Sequence, residues 1–150
     1  MKAALAPRRP ACTGARMRRV TRRMTSFYEQ HLRAAGLRLS QYSVLSALSA
    51  RPQSLLALAD RLELDRTTLT RNLQPLVAAG WVEAARGPDA RQKLFVLTAA
   101  GSRRRAAARA AWKTAQAELE AQLGPAFIAN LHAQLDHALA LLKPALPDDN

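Results

Sequence analysis

Between Leu64 and Trp81 the chain reads LDRTTLTRNLQPLVAAGW, and no other stretch constrains the fold as much. Asp65 is a side chain that accepts hydrogen bonds from the first amides of a helix, and Gly80 takes readily the left-handed conformation that ends one. Leu69, Leu73, Leu76 and Val77 fall at spacings of three and four and face inward. The other side carries Arg66, Thr67, Thr68, Thr70, Arg71 and Gln74. Upstream, Ser54 can cap a short helix running through Leu62, which leaves only Glu63 and Leu64 between the two helices. Two helices joined by so short a turn, the second amphipathic and basic outside, form the pattern of a helix-turn-helix. Pro75 withdraws one backbone donor near the end of the second helix and is expected to kink or tighten its last turn.

The flanking sequence extends this pattern. Residues 1–13, with Pro7, Pro10, Arg8 and Arg9, read as a flexible basic arm. Met17, Val20, Met24, Phe27 and His31 recur at helical spacing over Gly14 to Ala35, and Gly36 supplies a stop. Ser40 is a candidate N-cap for a second helix with Val44, Leu45 and Leu48 on its apolar side, ended by the approach to Pro52. After Gly80, WVEAA and QKLFVLT are strand-like runs around RGPDAR, whose Gly87, Pro88 and Asp89 make a turn. They read as a β-hairpin wing. Thr98 caps a long helix to Leu123, and Gly124 with Pro125 opens a last one to about Leu142, leaving 144–150 as a tail.

The expected fold is therefore mainly α: one domain over 14–143, with a winged helix-turn-helix at about 40–97. Helices at about 14–35 and 99–143 would form a dimerisation region. Trp112, Ala115, Leu119 and Leu123, then Phe127, Leu131, Leu135, Ala138 and Leu142, make apolar stripes longer than a small winged helix needs for its own core. A second copy is the expected partner, with packing inside one protomer as the alternative.

Charge narrows the function. The chain carries 23 Lys and Arg against 11 Asp and Glu, a formal charge of +12, and the excess is uneven. Residues 1–110 hold 21 basic against 6 acidic side chains, whereas 111–150 hold 2 against 5. Most of the basic residues are arginine, whose fork fits phosphate and guanine. On the second helix of the motif, threonine offers a methyl for thymine and a hydroxyl for phosphate, arginine forks onto guanine, and glutamine bridges adenine. Exposed threonine in a helix costs about a few tenths of a kcal/mol relative to alanine, so three near one N-terminus imply use. A narrow minor groove draws arginine in, which fits Arg86 and Arg91 at the wing tip, with Lys93 nearby on the returning run; a hairpin basic only for solubility is the alternative.

Other classes find little support. No run approaches the ~18 apolar residues of a membrane span, and the first residues have no apolar core of signal-peptide length, so a cytoplasmic location is expected. One cysteine, Cys12, and three histidines, His31, His132 and His137, show no metal-ligand spacing, and no metal or cofactor is expected. There is no glycine-rich phosphate loop, nucleophile elbow or paired acid for general acid–base work, which argues against an enzyme.

LRLSQYSVLSAL, LALADRLELDRTTLTRNLQPLVAAGWV and DARQKLFVLTAAG, in this order and spacing, resemble the MarR (multiple antibiotic resistance regulator) family of winged helix-turn-helix regulators. The resemblance implies a homodimer that reads a pseudo-palindromic duplex, usually as a repressor released by a small molecule or an oxidant. It also implies a wing in which Asp89 orients Arg91 into the minor groove. Ala90 stands where many relatives have another arginine, and Glu63 at a turn position often occupied by glycine.

Two effector routes follow. Cys12, among arginines that favour a thiolate, is a candidate redox sensor, although the peroxide-sensing position falls nearer Gly14; an incidental thiol is the alternative. Tyr28, His31, Tyr42 and Trp112 are candidates for a pocket suited to a small aromatic or phenolic ligand, with plain core packing as the alternative. The rival to sequence-specific regulation is a non-specific, nucleoid-like DNA binder or a winged-helix interaction protein without base readout.

Overall fold

The computed structural model describes residues 12–89 and 92–142. Residues 1–11 of the expected arm, Ala90 and Arg91 at the wing tip, and residues 143–150, which hold the expected tail, lie outside the described residues. The elements are α1 (Thr13–Leu32), a 3₁₀ turn (Arg33–Ala35), α2 (Leu39–Ala47), β1 (Gln53–Ser54), α3 (Leu55–Leu62) and α4 (Arg66–Ala78). After them come β2 (Val82–Arg86), β3 (Lys93–Leu97), α5 (Ala99–Leu123) and α6 (Pro125–Leu141). The molecule is mainly helical with a small antiparallel sheet, as expected of a winged helix-turn-helix.

Three capping expectations hold in atomic detail. Ser54 accepts from the Ala57 amide at 3.1 Å, Asp65 from the Thr68 amide at 2.8 Å, and Thr98 from the Gly101 amide at 3.0 Å. Each side chain satisfies one amide that the helix cannot. Gly36, Gly80 and Gly124 all have positive φ, at the three helix ends where the sequence places a glycine stop.

Three expectations needed correction. α1 does not run to Ala35: the helix narrows to a 3₁₀ turn after Leu32, and Gly36, at φ 65°, closes it. α2 starts before Ser40, at Leu39, because Gln41 and Glu29 serve its first amides: the Arg38 amide donates to Gln41 Oε1 at 3.0 Å and the Leu39 amide to Glu29 Oε1 at 3.4 Å. The expected hairpin is the larger part of a three-stranded sheet, order β1-β3-β2, because the two-residue β1 pairs Gln53 with Phe95 and Ser54 with Leu94. So short a strand carries no period to read.

Side chains from every part of the winged body meet in one core. Leu32, Val44, Leu45, Leu58, Leu69 and Leu76 are fully buried, and Val82, Phe95, Leu97 and Ala108 join them. Each fully buried leucine contributes roughly 2 kcal/mol of transfer free energy. Leu69, Leu73 and Leu76 fix the inner side of α4, which continues as helix through Pro75 to Ala78.

Arginines close the ends of other elements. Arg61 of α3 donates to the Ala47 carbonyl at 2.8 Å, and Arg105 of α5 donates to the Leu48 carbonyl at 2.7 Å, so two helices cap the C-terminus of α2. Cations there also oppose the negative end of the helix dipole.

Candidate nucleic-acid interface

The turn between α3 and α4 fixes how the two helices of the motif meet. Glu63 has φ 50°, the one positive value among described non-glycine residues, and its amide donates to the Asp60 carbonyl while Leu64 donates to Ala59 at 3.0 Å. Where the resemblance favours glycine, this chain forces a glutamate into the left-handed region, at a cost of about 1 kcal/mol. The tight reversal survives because Leu58, Ala59 and Leu69 are buried on either side of it.

On α4, Arg66, Thr67, Thr70, Arg71 and Gln74 are all exposed and line one shallow open groove of about 380 Å³. Five of the six side chains expected on the outer side are thus brought together. Thr68 is the exception: half-buried, it donates its hydroxyl to Asp65 Oδ2 at 2.6 Å while its amide is held by Oδ1. Its spacing placed it with the reading set, but its hydroxyl is consumed by the cap. The two bonds from Thr68 also hold the Asp65 carboxyl below its ordinary pKa, side-chain bond first, so it stays ionised at the positive end of the helix.

At the wing, Arg86 and Lys93 are paired in register at the open end of β2 and β3, and both are exposed. The turn beyond them is closed by Gly87 donating to the Gln92 carbonyl and Gln92 to the Asp89 carbonyl, both at 2.8 Å. A Cβ on Gly87 would stand 2.9 Å from that of Gln92, so the narrow neck requires glycine. Asp89 is exposed at the tip; Arg91, its expected partner, lies outside the described residues.

The effector candidates divide. Tyr28 donates to Gln116 Oε1 at 2.6 Å, and Gln116 donates onward to Glu120 Oε1 at 2.9 Å. Burial, then the Glu120 charge, pushes the Tyr28 phenol up from its ordinary value. His31 faces two acceptors, the Phe27 carbonyl at Nδ1 (3.1 Å) and Glu118 Oε2 at Nε2 (3.0 Å). A neutral imidazole can donate to only one of them, and the bond to Phe27, with a smaller push from Glu118, raises its pKa. Tyr42 and Trp112 instead pack, partly buried, on the core. None of the four lines the described α4 groove or the second described one, of about 390 Å³ between Glu29, Arg33, Gly36, Leu37, Arg38 and Gln41. Cys12 is an exposed free thiol at the N-cap of α1 and makes no side-chain capping bond there. Among the described residues no three His, Cys, Asp or Glu side chains converge as a metal site, and no helix is long and apolar enough to cross a membrane.

A buried helix-turn-helix, an exposed arginine and threonine side and an adjoining basic wing together define a winged helix-turn-helix DNA-binding protein. The chain belongs to the MarR family, whose model matches residues 35–92. It is similar to the transcriptional regulator MosR of M. tuberculosis, solved in complex with DNA, at 34% identity over 86% of this chain and 99% of that one, with a TM-score of 0.70. A mutant of E. coli MarR complexed with operator DNA matches at 27% identity over 84% of this chain and 92% of that one, TM-score 0.75. Wild-type E. coli MarR in its apo form matches at 25% identity, 87% and 99% coverage, TM-score 0.69. A comparison with curated proteins gives no match. The protein is a DNA-binding transcriptional regulator and not an enzyme.

Proposed function

We propose that the protein is a homodimeric repressor that reads a pseudo-palindromic duplex, with Arg66, Thr67, Thr70, Arg71 and Gln74 of each protomer entering the major groove. Arg86, Lys93 and the Asp89 to Arg91 tip would follow the adjoining minor groove. The observation that carries this reading is the α4 groove, where five side chains able to address base edges share one exposed face. A binder that needs phosphates alone has no use for such a face.

Dimerisation is supported by the surface of α1 and α6. Met17 and Val20 of α1, Leu123 at the end of α5, and Phe127, Leu139 and Leu142 on and just after α6 are all exposed at 42% or more, an apolar area that the described residues leave uncovered. The basic α1, with Arg16, Arg18, Arg19, Arg22 and Arg23, complements the net negative stretch after residue 110. Release would act on the contact between α1 and α5, through an aromatic or phenolic ligand displacing the Tyr28–Gln116 bond or through oxidation of the exposed Cys12. Such a regulator works in the cytoplasm.

Selection from randomised duplexes at two salt concentrations tests the reading. A pseudo-palindrome with half-sites about one helical turn apart is expected. Enrichment of no sequence, with only a steep salt dependence, would leave a non-specific binder.

A further inference from the structure

We infer that Arg104 is a positioning residue for DNA recognition, holding the corner between α4 and the wing against the elbow that joins α1 to α2. The inference rests on α4 being the groove-reading helix.

The corner is Trp81. Its amide donates to the Leu76 carbonyl at 3.0 Å, tying it to the end of α4, and its carbonyl accepts from the Thr98 amide at 3.1 Å, tying it to the return of the wing. The Thr98 hydroxyl donates to the Gly80 carbonyl at 2.8 Å, with the Trp81 carbonyl 3.2 Å away. α5 comes so close that any side chain on Gly101 would overlap the Trp81 carbonyl. The backbone of Trp81 is thus fixed between the end of α4 and the N-terminus of α5, through Thr98 and Gly101.

Its ring is loaded by one cation. The Arg104 guanidinium carbon sits 4.6 Å from the indole centroid, and Nη1 of the same side chain donates to the Ala35 carbonyl at 2.9 Å. Ala35 is the last residue of the 3₁₀ turn, and Gly36 beside it has φ 65°. One half-buried fork therefore spans from the α1–α2 elbow to the root of the wing. A displacement of α1 along α5 reaches the reading helix through this side chain. Charge alone would have counted Arg104 among the phosphate contacts, but its fork is turned inward to a carbonyl and an indole face.

The test compares wild type, Arg104→Met and Arg104→Lys on a selected duplex and on an unrelated duplex of equal length, at two salt concentrations. Thermal unfolding and the two indole N–H resonances of labelled protein are followed alongside. A cation–π contact and one hydrogen bond together convert to about a tenfold change in affinity. Arg104→Met should lose that factor on the selected duplex, stay within about twofold on the unrelated one and keep the wild-type salt slope. It should shift the Trp81 indole resonance and leave that of Trp112 in place. Arg104→Lys, which retains a cation for the ring, should recover part of the loss. Equal losses on both duplexes with a salt slope smaller by about 0.9 would make Arg104 a phosphate contact and overturn the inference. A lower unfolding temperature with an unchanged ratio between the duplexes would reduce it to packing and overturn it too. A wild type that binds both duplexes equally removes the reading of α4 itself, and this inference with it.

Discussion

The winged body and the helical ends of this molecule are built to different degrees of completion. From α2 to the start of α5, most large apolar side chains find partners within the chain, Leu56 excepted: Val44, Leu45, Leu58, Leu69, Leu76 and Val82 are buried. α1 and α6 bury far less, and Phe127, Leu139 and Leu142 stand more than half exposed. The helix starts differ in the same way. α4 is capped by the Asp65 carboxylate, held by two bonds from Thr68, whereas α1 has no side-chain cap, and neither helix has an acid within its first turn. Among the described residues, the first region buries most of its large apolar side chains and the second leaves several of them exposed.

The sharpest way to break the first region is Gly101→Ala. The new Cβ would overlap the Trp81 carbonyl, so α5 must move off the corner, and we expect a loss of about 3 kcal/mol or more in chemical denaturation. A change below about 1 kcal/mol would show that the close approach is easily relaxed. The corresponding break in the second region is Phe127→Asp. It should leave the helical content unchanged while weakening self-association by about 30-fold or more in sedimentation, the scale of one interface anchor. A protein that stays dimeric would move the interface away from α6.

Arg71→Ala separates reading from folding. It should cost about 1–3 kcal/mol of binding to the selected duplex while leaving the unfolding midpoint close to wild type, since Arg71 is exposed and lines only the α4 groove.

The smallest effects are pH-dependent and run in opposite directions in the two regions. Asp65 has a lowered pKa, so its support of α4 is complete above the ordinary carboxylate range and is lost as pH falls through its folded-state value. His31 has a raised pKa, so the stabilisation it gives, first through the Phe27 carbonyl of α1 and then through Glu118 of α5, is complete below the ordinary imidazole value and is lost as pH rises through the folded one. Stability followed from acid to mildly alkaline pH should lose the first contribution in Asp65→Ala and the second in His31→Gln. If either variant keeps the wild-type profile, that group is not linked to folding.

Much of this was legible because it is local. Caps such as Ser54, Asp65 and Thr98 work within one helical turn, and the period of Leu69, Leu73 and Leu76 marks an inner face without reference to anything else. The same period also misplaced Thr68, because spacing gives a direction around the helix and says nothing about which hydroxyl a nearby cap will take. It gave no sign of β1, whose two residues form a strand only because β3 runs beside them.

Charge was legible as an amount and illegible as an assignment. Arg61, Arg104 and Arg105 count toward a basic surface in the composition, yet each places its guanidinium on a backbone carbonyl of another element. Only contacts between residues distant in the chain separate such internal forks from Arg66 and Arg71, which remain on the open groove. By itself, then, the sequence determined the helix-turn-helix, its stops, its inner face and the chemistry of its outer one, since these depend on periodicity and on bonds spanning three or four residues. Tertiary contacts decided which arginines face outward, that Arg104 bridges Trp81 and the Ala35 carbonyl, and that α1 and α6 leave large apolar side chains exposed, because each depends on which distant elements meet.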